Sequence, residues 1–146
     1  MNAKFYLGAD HAGYETKEEI QKYLQRTGNE SVDLGTHSND SVDYPDYAVK
    51  VARKVAKDKG SFGVLVCGTG IGMSIAANKI KGIRAAHVTS VNEAKLAREH
   101  NDANVLCVGA RINSPTEIKK MIKAFLAEKP SKVKRHKARV EKLNKL

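Results

Sequence analysis

No tryptophan occurs in the 146 residues, and aromatic side chains of all kinds make up only 5 %. A protein that reads nucleic acid is expected to add exposed aromatics or a recognition helix to its charge, so the net charge of +10 does not by itself point to DNA or RNA. Cysteine is scarce. Cys67 and Cys107 each sit inside an apolar run that ends in glycine, which excludes a disulfide framework and makes reduced thiols the expectation. Three prolines and eleven glycines, beside 41 % hydrophobic and 29 % charged residues, exclude a disordered or collagen-like chain. No stretch approaches the roughly 20 apolar residues that span a bilayer, and Met1-Asn2-Ala3-Lys4 opens no long apolar leader. A cytoplasmic protein without a membrane partner is therefore expected, with one domain's worth of chain.

The positive charge is unevenly spread. Lys129, Lys132, Lys134, Arg135, Lys137, Arg139, Lys142 and Lys145 stand against Glu141 alone, so residues 129–146 carry +7 of the +10 and residues 1–128 only +3. This basic segment is read as an arm of the 1–128 domain. Val133, Val140 and Leu143 recur in it at rough helical spacing, which predicts a last helix with a narrow apolar stripe suited to a partner subunit.

Before the arm the chain alternates. Apolar runs at Lys4–Ala9, Ser31–Leu34, Phe62–Cys67, Ile83–Val88 and Val105–Gly109 read as strands. Between them, helical spacing appears over Tyr14–Arg26, from Pro45 through Val55, over about Met73–Lys79 and Val91–His100, and from Ser114-Pro115 to Leu126. Five βα units joined by short connections predict an α/β fold, a three-layer αβα sandwich around an open parallel sheet, with right-handed crossovers. In such sheets ligands bind beyond the carboxyl ends of the strands. Asp10 and His11, Thr36 to Tyr44, Cys67 to Gly72, and Ala110-Arg111 occupy those positions.

Gly68, Gly70 and Gly72 alternate in Cys67-Gly68-Thr69-Gly70-Ile71-Gly72, and such a loop can aim successive N–H groups at an anion. It is not a dinucleotide fingerprint, which needs two residues between its last glycines and an acid about 20 positions on. Nor is it a Walker loop, because no Lys-Ser/Thr pair follows. A tight turn without a ligand is the plain alternative. At the mouth of the loop Cys67 suits a base or nucleophile, and equally a buried strand-end thiol; Cys107 reads as strand interior. His11 and His100 can donate to phosphate or exchange protons with a sugar oxygen near neutral pH. Asp10, His11 and His37 lack the tight spacing of a metal site. Arg111, Arg135 and Arg139 offer planar forks for phosphate, the last two four apart and so on one helical face.

Taken together, Gly8-Ala9-Asp10-His11-Ala12-Gly13, Asp43-Tyr44-Pro45, Cys67 to Gly72, Asn78-Lys79, Gly82-Ile83-Arg84-Ala85 and His100-Asn101-Asp102-Ala103-Asn104-Val105 resemble the ribose-5-phosphate isomerase B family, with Arg135-His136 and Arg139 following in order. The resemblance implies a Rossmann-like fold with a five-stranded parallel sheet between helices. It implies an aldose-ketose isomerase of the non-oxidative pentose phosphate pathway that needs no metal or organic cofactor and works through an enediolate. Carried over by position, Cys67 is the base, in place of the glutamate of the family's other branch, since Ile71-Gly72-Met73-Ser74 has no carboxylate. His100, with Asp10 or Thr69, opens the furanose ring.

In the same carry-over, Thr69 and the backbone N–H groups from Gly70 through Ile71, Gly72 and Met73 to Ser74 hold the enediolate oxygen, with Gly68 beside them. His11, Arg111, Arg135 and Arg139 bind the phosphate, while Tyr44 and Asn101 contact the sugar. The resemblance also implies a homodimer, or a dimer of dimers, with each site shared between two chains. The sequence leaves a six-carbon sugar phosphate (allose or galactose 6-phosphate) as an alternative substrate. A non-catalytic module binding a phosphate ligand or nucleic acid is the alternative from a different class.

Overall fold

Two periodicities build the sheet and the layers that cover it. In the computed structural model, which describes residues 2–146, the strands β1 (Lys4–Ala9), β2 (Glu30–Asp33), β3 (Phe62–Cys67), β4 (Ala85–His87) and β5 (Val105–Gly109) form one sheet in the order β2-β1-β3-β5-β4. Every pairing is parallel. The helices are α1 (Tyr14–Arg26), α2 (Tyr44–Lys57), α3 (Ile71–Ala77), α4 (Val91–Asn101), α5 (Pro115–Ala127) and α6 (Lys134–Asn144). Among the described residues no helix is long and apolar enough to cross a membrane.

Alternate strand residues go to opposite faces, and that parity sorts the core into two clusters. Phe5, Leu7, Val64, Val66, Leu106 and Val108 pack with Ile20, Leu24, Ala94, Ile118, Ile122 and Phe125, which places α1, α4 and α5 on one face. Tyr6, Leu65, Cys67, Val105 and Cys107 pack with Val51, Ala52, Val55, Met73 and Ala77, which places α2 and α3 on the other. Each fully buried Leu, Val or Phe contributes about 1.5–3 kcal/mol. Helix starts follow local chemistry: Ser114 and Glu117 cap α5 reciprocally, and the Ser90 hydroxyl accepts from the Glu93 N–H at α4.

Several boundaries differ from the sequence reading, most by one or two residues. Strand β2 lies one residue earlier. The fourth strand shrinks from 83–88 to Ala85–His87 because the Asn104 side chain takes its approach: it accepts from the Arg84 N–H at 2.8 Å and donates to the Gly82 carbonyl at 2.9 Å. Asn78 covers part of the edge that β4 leaves open, accepting from the Ala85 N–H and donating to its carbonyl at 2.8 and 2.9 Å. Helix α3 starts at Ile71 rather than Met73, because Gly70 adopts φ +82°, the left-handed conformation glycine reaches without a Cβ penalty, and turns the chain straight into a helix.

The arm folds as a helix, and none of its residues is buried. It is held to its own chain near Glu99 and His100, where the Ser131 N–H donates to the Glu99 carbonyl at 2.8 Å. Val133 and Leu143 of its apolar stripe remain 43 % exposed, so the face that the spacing marked for packing is mostly uncovered within one chain.

Candidate active site

From β1 the chain steps outward to β2 on one side, and from β3 toward β5 and β4 on the other, so the carboxyl ends of β1 and β3 flank the topological switch point. The crevice outside those ends is the expected ligand position. Asp10 follows β1, its N–H donating to the Val66 carbonyl at 3.2 Å, and Cys67 closes β3.

Cys67 is 5 % exposed, and its Sγ accepts from the Gly70 N–H at 3.1 Å. That donor fixes the sulfur at the mouth of the glycine loop. Burial pushes the Cys107 thiol well above its ordinary value, which keeps it neutral and unreactive in the strand interior. Of the amides assigned to the developing oxyanion, Gly70 therefore addresses the sulfur instead. Ile71 donates to Thr69 Oγ1 at 3.2 Å, and the Ser74 N–H is spent on the Gly70 carbonyl as helix α3 begins. Gly72 and Met73 keep first-turn N–H groups that meet no protein acceptor among the described residues.

The surroundings of the loop come from three other elements. A Cβ on Gly72 would lie 2.5 Å from the Tyr44 ring, so the absent side chain is what lets Tyr44, at the start of α2, rest on the loop. A Cβ on Gly68 would lie 2.7 Å from the Arg111 guanidinium, which places that cation beside the loop just after β5. Asp10 Oδ1 accepts from the N–H groups of Ala12 and Gly13 at 3.0 and 3.1 Å, fixing the turn that carries His11. His11 Nδ1 accepts from the Val42 N–H at 3.2 Å. The proton of a neutral His11 ring is thereby assigned to Nε2, where it is available to a phosphate oxygen.

The remaining candidates lie at the opposite end of the strands. Helices of βα units run antiparallel to the strands, so His100 and Asn101, the last two residues of α4, stand at the amino end of β5, where Val105 pairs with Gly63. Cys67 pairs with Gly109 at the carboxyl end, four residues on, roughly 13 Å away along the strand. Helix α4 also covers the face opposite the one that holds Cys67. No His100 side chain spans that separation within one chain. Gathered around it instead are His136, whose ring centroid lies 4.5 Å away, and a cavity of about 310 Å³ lined by Glu99, Lys132, His136, Lys137 and Glu141. Desolvation, followed by the charges of His100, Arg135 and Arg139, pushes His136 below its ordinary value and keeps it neutral. Arg135 and Arg139 are exposed on α6 in the same neighbourhood.

Two residues that support the Cys67 end of the strands had no signal in the linear sequence. His87, at the end of β4, directs Nε2 to the Thr69 carbonyl at 2.8 Å, and because a carbonyl only accepts, Nε2 carries the proton. Lys17 is fully buried in α1 and ion-paired to Asp33, whose other oxygen accepts from the Gly35 N–H at 2.9 Å. Gly35 and Thr36 in turn bond the backbone of Ala9, so this pair braces the strand end that carries Asp10. For His87→Ala, removal of the tether on the Thr69 carbonyl is expected to lower kcat about tenfold with the secondary structure intact. Steady-state turnover alongside circular dichroism checks this, and unchanged kcat would show that the tether is dispensable.

The family model described as Ribose/Galactose Isomerase matches residues 5–143. Ribose-5-phosphate isomerase B of Mycobacterium tuberculosis is 42 % identical over 139 residues, covering 94 % of this chain and 86 % of that protein. Among solved structures, the type B ribose 5-phosphate isomerase of Trypanosoma brucei matches with TM-score 0.94 and 47 % identity over 99 % of both chains. Ribose 5-phosphate isomerase B of Anaplasma phagocytophilum matches with TM-score 0.91 and 48 % identity, over 96 % of this chain and 95 % of that one.

Proposed function

The chain belongs to the ribose/galactose isomerase family, and from that premise we propose that it interconverts D-ribose 5-phosphate and D-ribulose 5-phosphate through an enediolate, with Cys67 as the base. The observation that carries the residue assignment is the Cys67 sulfur. It lies at the switch point, accepts the Gly70 N–H, and is followed by a loop without any carboxylate to compete for the role.

The furanose opens when a proton moves from the C1 hydroxyl to the ring oxygen, with His100 as the exchanging group. The thiolate of Cys67 then removes the C2 proton. The C2–H electron pair forms the C1=C2 double bond, and the carbonyl pair moves onto O1. Thr69 and the N–H groups of Gly72 and Met73 stabilise that oxyanion, an interaction worth about 3 kcal/mol where single donors have been removed from other enzymes. Proton transfer between the two enediolate oxygens and return of the proton from sulfur to C1 complete the ketose. His11 and Arg111 bind the phosphate with Arg135 and Arg139, Asp10 holds the His11 turn, and Tyr44 and Asn101 contact the sugar.

This assignment requires two chains. His100, Asn101, Arg135 and Arg139 belong to the opposite end of the strands from Cys67, so they serve a partner's thiol in a homodimer. Exposed apolar residues support such an interface, with Ile71 and Ile75 on α3 at 51 % and 59 % exposure beside the half-exposed Tyr44.

Ribose 5-phosphate and allose 6-phosphate assayed side by side, in buffer containing a chelator, test the substrate. Conversion of the ribose compound that exceeds the allose compound by at least about tenfold in kcat/KM is the expected result. Preference for the six-carbon sugar, or no turnover of either, would overturn the assignment.

A further inference from the structure

Among the described residues Asp102 alone, other than glycines, has a positive φ, at +46°. It follows directly on His100-Asn101 and ends α4 in the left-handed conformation that glycine usually supplies. A non-glycine residue persists there only when its surroundings hold it. Two arginines do so. Arg98 Nη1 donates to Asp102 Oδ1 at 2.7 Å and to the Ala103 carbonyl at 2.8 Å, while Arg84 Nε donates to the Asp102 carbonyl at 2.8 Å. Arg84 Nη2 stands 3.6 Å from the second carboxylate oxygen, and its Nη1 reaches across to Asn144 Oδ1 at 2.7 Å.

Arg84 thus grips both the turn that follows His100-Asn101 and the far end of α6. The near end of α6 already meets the same turn through the His136 ring on His100 and the Ser131 bond to Glu99. Both arginines are mostly buried, with side-chain exposures of 16 % for Arg84 and 11 % for Arg98. A buried, forked cation with its partners at defined angles acts as a rigid bracket rather than a surface ion pair.

We infer that Arg84 and Asp102 are positioning residues for ring opening: the Arg84–Asp102 clamp sets His100 and Asn101, and through Asn144 the arm with Arg135 and Arg139, as one rigid unit presented to the partner's thiol. The inference rests on the reading of His100 as the ring-opening group. The clamp touches no reacting atom and lies at the end of the strands remote from the Cys67 of its own chain.

Two half-reactions separate this role from a general loss of structure. Net conversion of ribose 5-phosphate needs ring opening as well as the C2 proton transfer. Exchange of the C1 hydrogen of ribulose 5-phosphate with deuterated water needs only the Cys67 step, because a ketose phosphorylated at its 5-oxygen is already open. Asp102→Asn keeps a residue that tolerates the left-handed region but removes the carboxylate charge, and Arg84→Lys keeps the charge but cannot make the fork. In the full-length protein, at saturating sugar phosphate, both variants are expected to lose about tenfold or more in kcat for ribose 5-phosphate, with C1 exchange within about twofold of wild type. Arg84→Lys is also expected to raise KM for both sugars several-fold through the loosened arm.

Parallel loss of conversion and exchange in Asp102→Asn would overturn the inference in favour of a structural role, and so would retention of both in the two variants. Absence of conversion and exchange in the wild type would instead count against the isomerase reading itself. The two failures are therefore distinguishable.

Discussion

Cys67→Ser is expected to lower kcat for ribose 5-phosphate by about a thousandfold, within the range that a positioned general base supplies. The serine hydroxyl occupies nearly the same volume at the end of β3 and can still accept the Gly70 N–H, so the loop keeps its shape. What is lost is the thiol, because an alcohol gives up its proton far less readily than a thiol and does not become a base. The thermal midpoint is expected to move by only a few degrees, corresponding to about 1 kcal/mol for exchanging one mostly buried small side chain. Activity loss without unfolding supports the base assignment. Turnover within about tenfold of wild type would transfer the role to another group. The same variant should also abolish deuterium exchange at C1 of ribulose 5-phosphate, the step that the Arg84–Asp102 clamp leaves untouched.

Mixing two inactive chains is expected to restore activity. Cys67→Ser lacks the proposed base and His100→Ala the proposed ring-opening group, and the two positions lie at opposite ends of the strands and on opposite faces of one subunit. In a two-fold dimer each site takes its thiol from one chain and its imidazole from the other. A heterodimer of the two variants then holds one site with both defects and one site with none. Random assortment from equal amounts makes half of the dimers mixed, so about a quarter of the wild-type sites are rebuilt. Coexpression followed by separation of differently tagged chains gives the measurement directly. Activity confined to the doubly tagged fraction is the expected outcome, and an inactive mixed dimer would place both groups in one chain's site and refute the shared arrangement.

Much of the scaffold was legible because it depends on local rules. The near-continuous apolar run Phe62–Cys67 reads as a strand covered on both faces, and β3 has those bounds. Ser114-Pro115 reads as a cap and first helical turn, and α5 starts there, with Glu117 completing a reciprocal cap that the reading did not include. The errors were equally physical. Ile83 to Val88 has strand-like composition throughout, yet the Asn104 side chain satisfies Arg84 before the ladder with β5 begins. Of the five loop amides assigned to the oxyanion, those of Gly70 and Ile71 meet Cys67 Sγ and Thr69 Oγ1, and that of Ser74 is taken by the first turn of α3, which starts two residues early.

Support for the site was less visible than the site residues themselves. Lys17 looks like one more surface lysine on an amphipathic helix, and only the packing of α1 beside β2 seals it against Asp33. His87 carries no motif; it matters because β4 ends opposite the Thr69 carbonyl. Arg84 and Asp102 stood within recognisable segments, but their mutual hold arises from residues 18 apart meeting at the sheet edge.

By itself the sequence determined the alternation of strands and helices, the glycine-rich turn after β3, the chemical types gathered at the strand ends and the concentration of cations in the arm, because periodicity, turn chemistry and charge are properties of short segments. Only the tertiary structure decided the strand order β2-β1-β3-β5-β4, which amides remain free beside Cys67, and the placement of His100 with the arm at the end of the strands remote from the thiol of the same chain. Those outcomes depend on which distant segments share a buried face. That choice is made by the packing of the whole core, to which no single stretch of the chain contributes more than a small part.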